Sequence, residues 1–203
     1  VRATLNILPV EGLKWDNFFS YTQQDFESRD YKTRYYPGAL GQDGVADIAN
    51  ELTRDIQWES TLNYSRQFGR HSLQAVLGYT WQRGYYESSS MENKGFDTDD
   101  WGTDNIGSGS ALPDGQATMS SYKESNTYIA LFGRVMYNYD ERYLLSVSLR
   151  RDGSSRFGAD NKWGWFPAVS LGWRISQEEF LRDVDWINEL KLRAGYGVTG
   201  NQD

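Results

Sequence analysis

The chain has 203 residues with 21 basic against 28 acidic side chains, a net charge of −7, so it lacks the basic face that a phosphate backbone requires and nucleic acid is excluded as a partner. It has no cysteine, which removes disulfides and thiolate metal sites. Mean hydropathy is −0.71 and no run approaches the ~20 apolar residues of a spanning helix, which excludes a helical membrane protein but not a β-barrel, because half of every barrel strand faces a polar lumen.

The opening residues, VRATLNILPV, read as a strand and lack the basic start and apolar core of a leader peptide. From there, apolar and polar side chains alternate in segments of about ten residues, the length that carries a tilted strand across a bilayer. Ala3, Leu5 and Ile7 oppose Arg2, Thr4 and Asn6. After a tight turn over Pro9 to Gly12, Leu13, Trp15, Phe19 and Tyr21 oppose Lys14, Asp16, Ser20 and Thr22. A polar stretch of about 25 residues from Glu27 leads to Ile56, Trp58, Leu62 and Tyr64, opposite Gln57, Glu59, Thr61, Asn63 and Ser65. A turn at Phe68 to Arg70 precedes Leu73, Ala75, Leu77, Tyr79 and Trp81, set against Ser72, Gln74, Gly78 and Thr80. The longest polar stretch, about 35 residues from Glu87, comes next. Beyond it, Ile129, Leu131, Val135, Tyr137 and Tyr139 oppose Ala130, Arg134 and Asn138. A turn at Asp140 to Arg142 leads to Leu145, Val147 and Leu149 against Ser146, Ser148 and Arg150. A loop from Asp152 to Gly164 precedes Val169, Leu171, Trp173 and Ile175 against Ala168, Ser170, Gly172 and Arg174. Ser176 to Glu179 reads as a capping box opening a short helix near 177–187, with Phe180, Val184 and Ile187 as an apolar stripe packed on the rim. The last strand sets Leu190, Leu192, Ala194, Tyr196 and Val198 against Lys191, Arg193, Gly195 and Thr199.

About eight strands and no long helix make an all-β, antiparallel meander. Its connections alternate short and long, so one end of the sheet carries turns and the other loops, the asymmetry of transmembrane β-barrels. On that reading the lumen-facing candidates are Lys14, Asp16, Gln57, Glu59, Arg134, Arg150, Arg174, Lys191 and Arg193. Lipid-facing or interfacial girdle candidates are Trp15, Trp58, Tyr64, Tyr79, Trp81, Tyr137, Trp173 and Tyr196, since their rings favour headgroup level.

No catalytic or cofactor site emerges. Gly195 to Gly200 fits G-x-G-x-x-G formally, but the glycines lie in and after a strand instead of opening a helix. Phe96 to Asn105 is acidic, yet Trp101 occupies a ligand position of a calcium loop and Ser108 stands where its bidentate Glu belongs, so a solvated loop is expected. His71 is the only histidine and cannot anchor a metal site or triad, the Asp99–Asp100 pair has no apolar pocket, and the sequon at Asn63 lies mid-strand.

The segments Arg150–Gly158 (RRDGSSRFG), Asn161–Gly164 (NKWG), Phe166–Ser170 (FPAVS), Gly172–Ser176 (GWRIS) and Leu190–Asn201 (LKLRAGYGVTGN) closely resemble the barrel of SusC/RagA-type TonB-dependent transporters, outer-membrane importers of Bacteroidetes. The specific match covers roughly residues 143 to 202; upstream it is one of strand rhythm. The resemblance implies a barrel of about 22 strands with a plugged lumen in the cell outer membrane. It also implies a SusD-like lipoprotein over the extracellular side, energy from a TonB complex acting through the plug, and oligosaccharide or peptide cargo imported unchanged. No cofactor is implied. Residues 1–203 are then expected to be part of a receptor barrel, without signal peptide, plug, TonB box or closing strand. In the loop motif, Asp152 and Gly153 read as turn formers and Arg156 as a charge partner. Two other readings stand beside this one. The first is a complete eight-stranded outer-membrane barrel with a structural or adhesin role; the second is a soluble carbohydrate-binding sandwich using Trp101 and Trp163.

Overall fold

A computed structural model describes residues 1–156, 162–181 and 186–200. Eight strands follow one another in a single antiparallel meander: β1 Arg2–Asn6, β2 Leu13–Lys32, β3 Val45–Phe68, β4 His71–Lys94, β5 Thr118–Tyr139, β6 Tyr143–Ser154, β7 Trp163–Arg174 and β8 Lys191–Gly197. The pairing order runs β1 to β8 with no ladder returning from β8 to β1 among the described residues. The only helical pieces described are single 3-10 turns at Pro37–Ala39, Ile106–Ser108 and Ile175–Gln177.

The short connections owe their geometry to particular residues. Gly69 opens the two-residue β3–β4 turn at φ 60°, the place a hairpin of this length reserves for glycine. Gly12 sits at φ 84°, and a Cβ there would lie 2.0 Å from the Ser65 carbonyl oxygen, so no side chain fits. The β5–β6 turn instead places Asp140 and Glu141 at φ 51° and 56°, a left-handed pair held without glycine.

The chain divides into two compact units. One comprises Val1–Ser20, Ile56–Arg83 and Asn126–Asp203; the other comprises Tyr21–Asp55 and Gly84–Ser125. In the second, Phe96 is fully buried, with Tyr31 edge-on at 5.6 Å. The Tyr31 hydroxyl donates to Asp99 Oδ1 at 2.8 Å, and Arg34 donates to the Phe96 carbonyl at 3.0 Å. Burial, then the bond to Asp99, pushes the Tyr31 phenol up to about 12. Ala39, Val45, Ala46, Ile48 and Ala111 complete this small core. The first unit has almost none: Ala130 is its sole buried apolar residue among those described, while Leu77, Leu131, Leu171 and Leu192 stand exposed.

Several expectations need correction. The polar stretches after Glu27 and Glu87 are strand at both ends, since β2 runs to Lys32, β3 begins at Val45, β4 runs to Lys94 and β5 begins at Thr118; the connections themselves are shorter than expected, residues 33–44 and 95–117. Segments such as DFESRDYK carry a single aromatic on each face, Phe26 and Tyr31, among polar side chains, so ladder hydrogen bonds extend them where no apolar period reveals a strand. Asp152 and Gly153 lie in β6, opposite Ala130 and Ile129, and form no turn. The capping box does not form: Arg174 precedes the 3-10 turn, no side chain caps it, and the Ser176 hydroxyl is enclosed without a partner. Phe180 is 69% exposed instead of packed, and Val184 and Phe157 fall outside the described residues.

Candidate functional site

Strand register sorts the side chains of the first unit onto two faces. Across β5, β6 and β7, Val135, Val147 and Val169 stand in one row, and Tyr137, Leu145 and Leu171 in the next. Met136, Ser146 and Ser170 alternate with them on the opposite face. In β8, Ala194 and Tyr196 join the apolar face, whereas Arg193 and Gly195 join the polar one. Leu5 faces Trp15 on the apolar side of β1 and β2, and Asn6 faces Lys14 on the polar side.

The polar face is held by hydrogen bonds and packed rings. Asp16 accepts from Thr4 across the first ladder and from Asn63 Nδ2 at 2.9 Å, and Glu59 shares the parity of Asn63. Arg134 donates to Ser146 Oγ at 3.2 Å. Arg150 is clamped by Asp152 at 2.7 Å and by the Tyr128 hydroxyl. Its guanidinium lies 5.5 Å from the Phe132 ring centroid, and Phe166 is its partner on β7. Glycines make room for both rings: a Cβ on Gly78 would fall 2.1 Å from Phe132, and one on Gly200 2.3 Å from Phe166. The glycines singled out near the end of the chain thus serve close packing against an aromatic ring and β7, not phosphate binding. Farther along this face Lys191 and Arg193 line a hollow with Ser72, Gln74 and Ser170. Arg174 stands directly across from Lys191 and pairs with Glu141 at 3.4 Å.

On the apolar face Trp15 donates to Ser60 Oγ at 2.8 Å, and Trp58 meets Tyr79 edge-on at 5.6 Å. Tyr64 lines a groove with Leu62, Leu77 and Leu149. Trp81 is half-buried, and Tyr196 is 72% exposed. At the short-turn end the rings keep their polar tips engaged. Tyr137 shares a 2.6 Å hydrogen bond with His71 Nδ1, which gives the lone histidine a structural partner. Glu178 accepts from Tyr143 Oη at 2.7 Å and Trp173 Nε1 at 2.9 Å, and Arg142 lies 3.4 Å away. The bonds from Trp173 and Tyr143 hold its carboxyl below the ordinary glutamate range. Sequence reasoning chose Glu179 for this region; nothing in the local pattern marked Glu178, because its donors come from β6 and β7.

In the second unit, the acidic stretch 96–105 does not behave as a simple solvated loop. The Asp99 carboxylate is taken up by Tyr31 and Arg34, and Asp100 accepts from Thr98. Among the described residues no three acidic or histidine side chains converge as a metal site would require.

A family model described as "TonB dependent receptor-like, beta-barrel" matches residues 3–201. The chain belongs to the TonB-dependent receptor β-barrel family. This is a family of outer-membrane proteins. TonB-dependent receptor P3 of Formosa agariphila is 31% identical over 194 residues, covering 95% of this chain and 19% of that protein. TonB-dependent receptor SusC of Bacteroides thetaiotaomicron is 49% identical over 84 residues, 41% of this chain and 8% of SusC. Among solved structures, the RagAB peptide importer in its "closed-closed" state superposes with TM-score 0.86 at 21% identity, over 98% of this chain and 22% of that one. The receptor segment thus has the SusC/RagA-type barrel fold, and it spans about a fifth of the length of relatives such as P3. The motif around Arg150 has a physical reading: the clamp by Asp152 and Tyr128 fixes its guanidinium beside the Phe132 ring on the polar face. Arg156, expected as a charge partner, forms no ion pair among the described residues; its backbone N–H bonds Ser154 Oγ.

Proposed function

We propose that this segment is wall of an outer-membrane importer, with its apolar face against lipid and its polar face toward the lumen. The observation that carries the reading is the open apolar face: rows of Leu, Val and aromatic side chains in strand register, exposed and, among the described residues, without a second sheet over them. A soluble sandwich would bury that face against a partner sheet about 10 Å away. Lys14, Asp16, Glu59, Arg134, Arg150, Arg174, Lys191 and Arg193 then meet water, plug or cargo. Trp15, Trp58, Tyr64, Tyr79, Trp81, Tyr137, Trp173 and Tyr196 meet the bilayer and its interfaces. The likeness to SusC, and to a structure named as a peptide importer, supports uptake of oligosaccharide or peptide, with a SusD-like lipoprotein over the outer side and energy from TonB through the plug. A self-contained eight-stranded barrel is disfavoured by the absence of a β1–β8 ladder among the described residues.

These 203 residues contain no cysteine, so single cysteines placed here report cleanly once any elsewhere in the receptor are replaced by serine. In outer membranes, a water-soluble maleimide should label Ser170→Cys and Ser146→Cys but not Leu171→Cys or Leu145→Cys. Labelling of the leucine positions alone would sink the assignment of faces. For transport, labelled oligosaccharide or peptide should accumulate only in energised cells that retain the receptor; uptake unaffected by its deletion would refute the function.

A further inference from the structure

The apolar face carries one cation that the transport reading does not use. Arg151 shares the outward parity of Leu145, Val147 and Leu149, pairs with Leu131 on β5 and Trp165 on β7, and lies at the long-connection end of β6. Its guanidinium carbon sits 4.6 Å from the Trp163 ring centroid and 5.2 Å from that of Trp165. Among the described residues no carboxylate pairs with it, and its Nε is enclosed with no acceptor. A cation held by two indoles at the edge of an apolar band, with a donor unmet, is a site lacking its anion.

Directly below, about 7 Å along the strand, an apolar groove begins at Leu149 and runs past Val147 and Leu77. It exists because Gly133, opposite Leu149, contributes no side chain. A Cβ built there would have no neighbour nearer than 3.8 Å, so the dent is vacant and not filled by an adjacent residue. Nothing in the ladder demands glycine: its φ is not in the left-handed region.

We propose that Arg151, Trp163, Trp165 and the Gly133 groove form a binding site on the outer wall for a phosphate-bearing lipid. The phosphate accepts from the Arg151 guanidinium between the indoles, and one acyl chain lies in the groove. Charge complementarity selects the anion, and the continuity of cation and groove along one strand selects a lipid over free phosphate. The site rests on the lipid-facing assignment made above.

The test uses the detergent-extracted, delipidated receptor that contains this segment, titrated with dimyristoyl phosphatidic acid, dimyristoylglycerol or inorganic phosphate and read by native mass spectrometry. Phosphatidic acid should bind about tenfold more tightly than the uncharged lipid, the scale of one charge-assisted contact. Arg151→Gln should erase that preference. Gly133→Leu, or the milder Gly133→Ala, should weaken both lipids. A preference that survives Arg151→Gln overturns the proposal, and so does inorganic phosphate binding as well as the lipid. Heat-modifiability of each variant separates the two levels of argument. An assembled, heat-modifiable receptor without phosphate preference removes this site alone; a receptor that never enters the membrane removes the lipid-facing assignment with it.

Discussion

Val147 is the position at which a lipid-facing wall can be tested most sharply. On β6 the outward residues run Tyr143, Leu145, Val147, Leu149 and Arg151, from an aromatic at the turn end to the tryptophan-flanked arginine at the other. Eight steps of about 3.4 Å from Tyr143 to Arg151, tilted by roughly 40°, make a span of about 21 Å between its aromatic and cationic ends, close to the ~25 Å band of outer-membrane barrels. Val147 lies at its middle, between Val135 and Val169. An arginine at mid-depth costs about 2–4 kcal/mol, a loss of roughly 30- to 900-fold in the folded-to-unfolded ratio. Val147→Arg should therefore lower the urea midpoint for unfolding from phospholipid vesicles, followed by heat-modifiability. Leu171→Arg, nearer Trp173, should cost less, and Tyr143→Arg about 0–1 kcal/mol. Ser170→Arg, exposed on the opposite face, should leave assembly intact. Equal losses at Val147 and Ser170, or no dependence on depth along β6, would refute the reasoning.

Three further outcomes follow from the packing. Gly78→Val would drive a side chain into Phe132 and should cost about 1–3 kcal/mol, with much of the loss recovered in Gly78→Val/Phe132→Ala; a double variant no better than the single would show that the ring is not the obstacle. Glu141→Gly should raise stability by about 1 kcal/mol, because glycine relieves a left-handed residue whose ion pair to Arg174 is mostly exposed; a lowered urea midpoint would argue against it. Glu178 has a depressed carboxyl, so its contribution is full above the ordinary glutamate value of about 4.3 and fades as pH falls through its lower folded value. The urea-midpoint gap between wild type and Glu178→Gln should thus be open near neutrality and close in acid; a gap independent of pH would contradict this.

Strand identity and facing were legible because parity is a local property. Leu145, Val147 and Leu149 announce their face without knowledge of any neighbour, and the register agrees. What escaped were features decided by partners far along the chain. The extension of β2 to Lys32 depends on hydrogen bonds to a neighbouring strand, and the burial of Phe96 depends on Tyr31, 65 positions earlier. Glu178 was overlooked because its donors, Tyr143 and Trp173, are brought to it by strand pairing. Arg151 could have been found: its odd position continues the Leu145–Leu149 row, and an arginine in an apolar row is itself a signal.

The lack of a rung between β8 and β1 among the described residues has a practical consequence for anyone producing this segment alone. Both outermost strands present unsatisfied amide and carbonyl groups, which in hydrocarbon have no water to turn to. Copies of the isolated segment would satisfy them on each other, stitching hem to hem into open-ended ribbons instead of discrete particles.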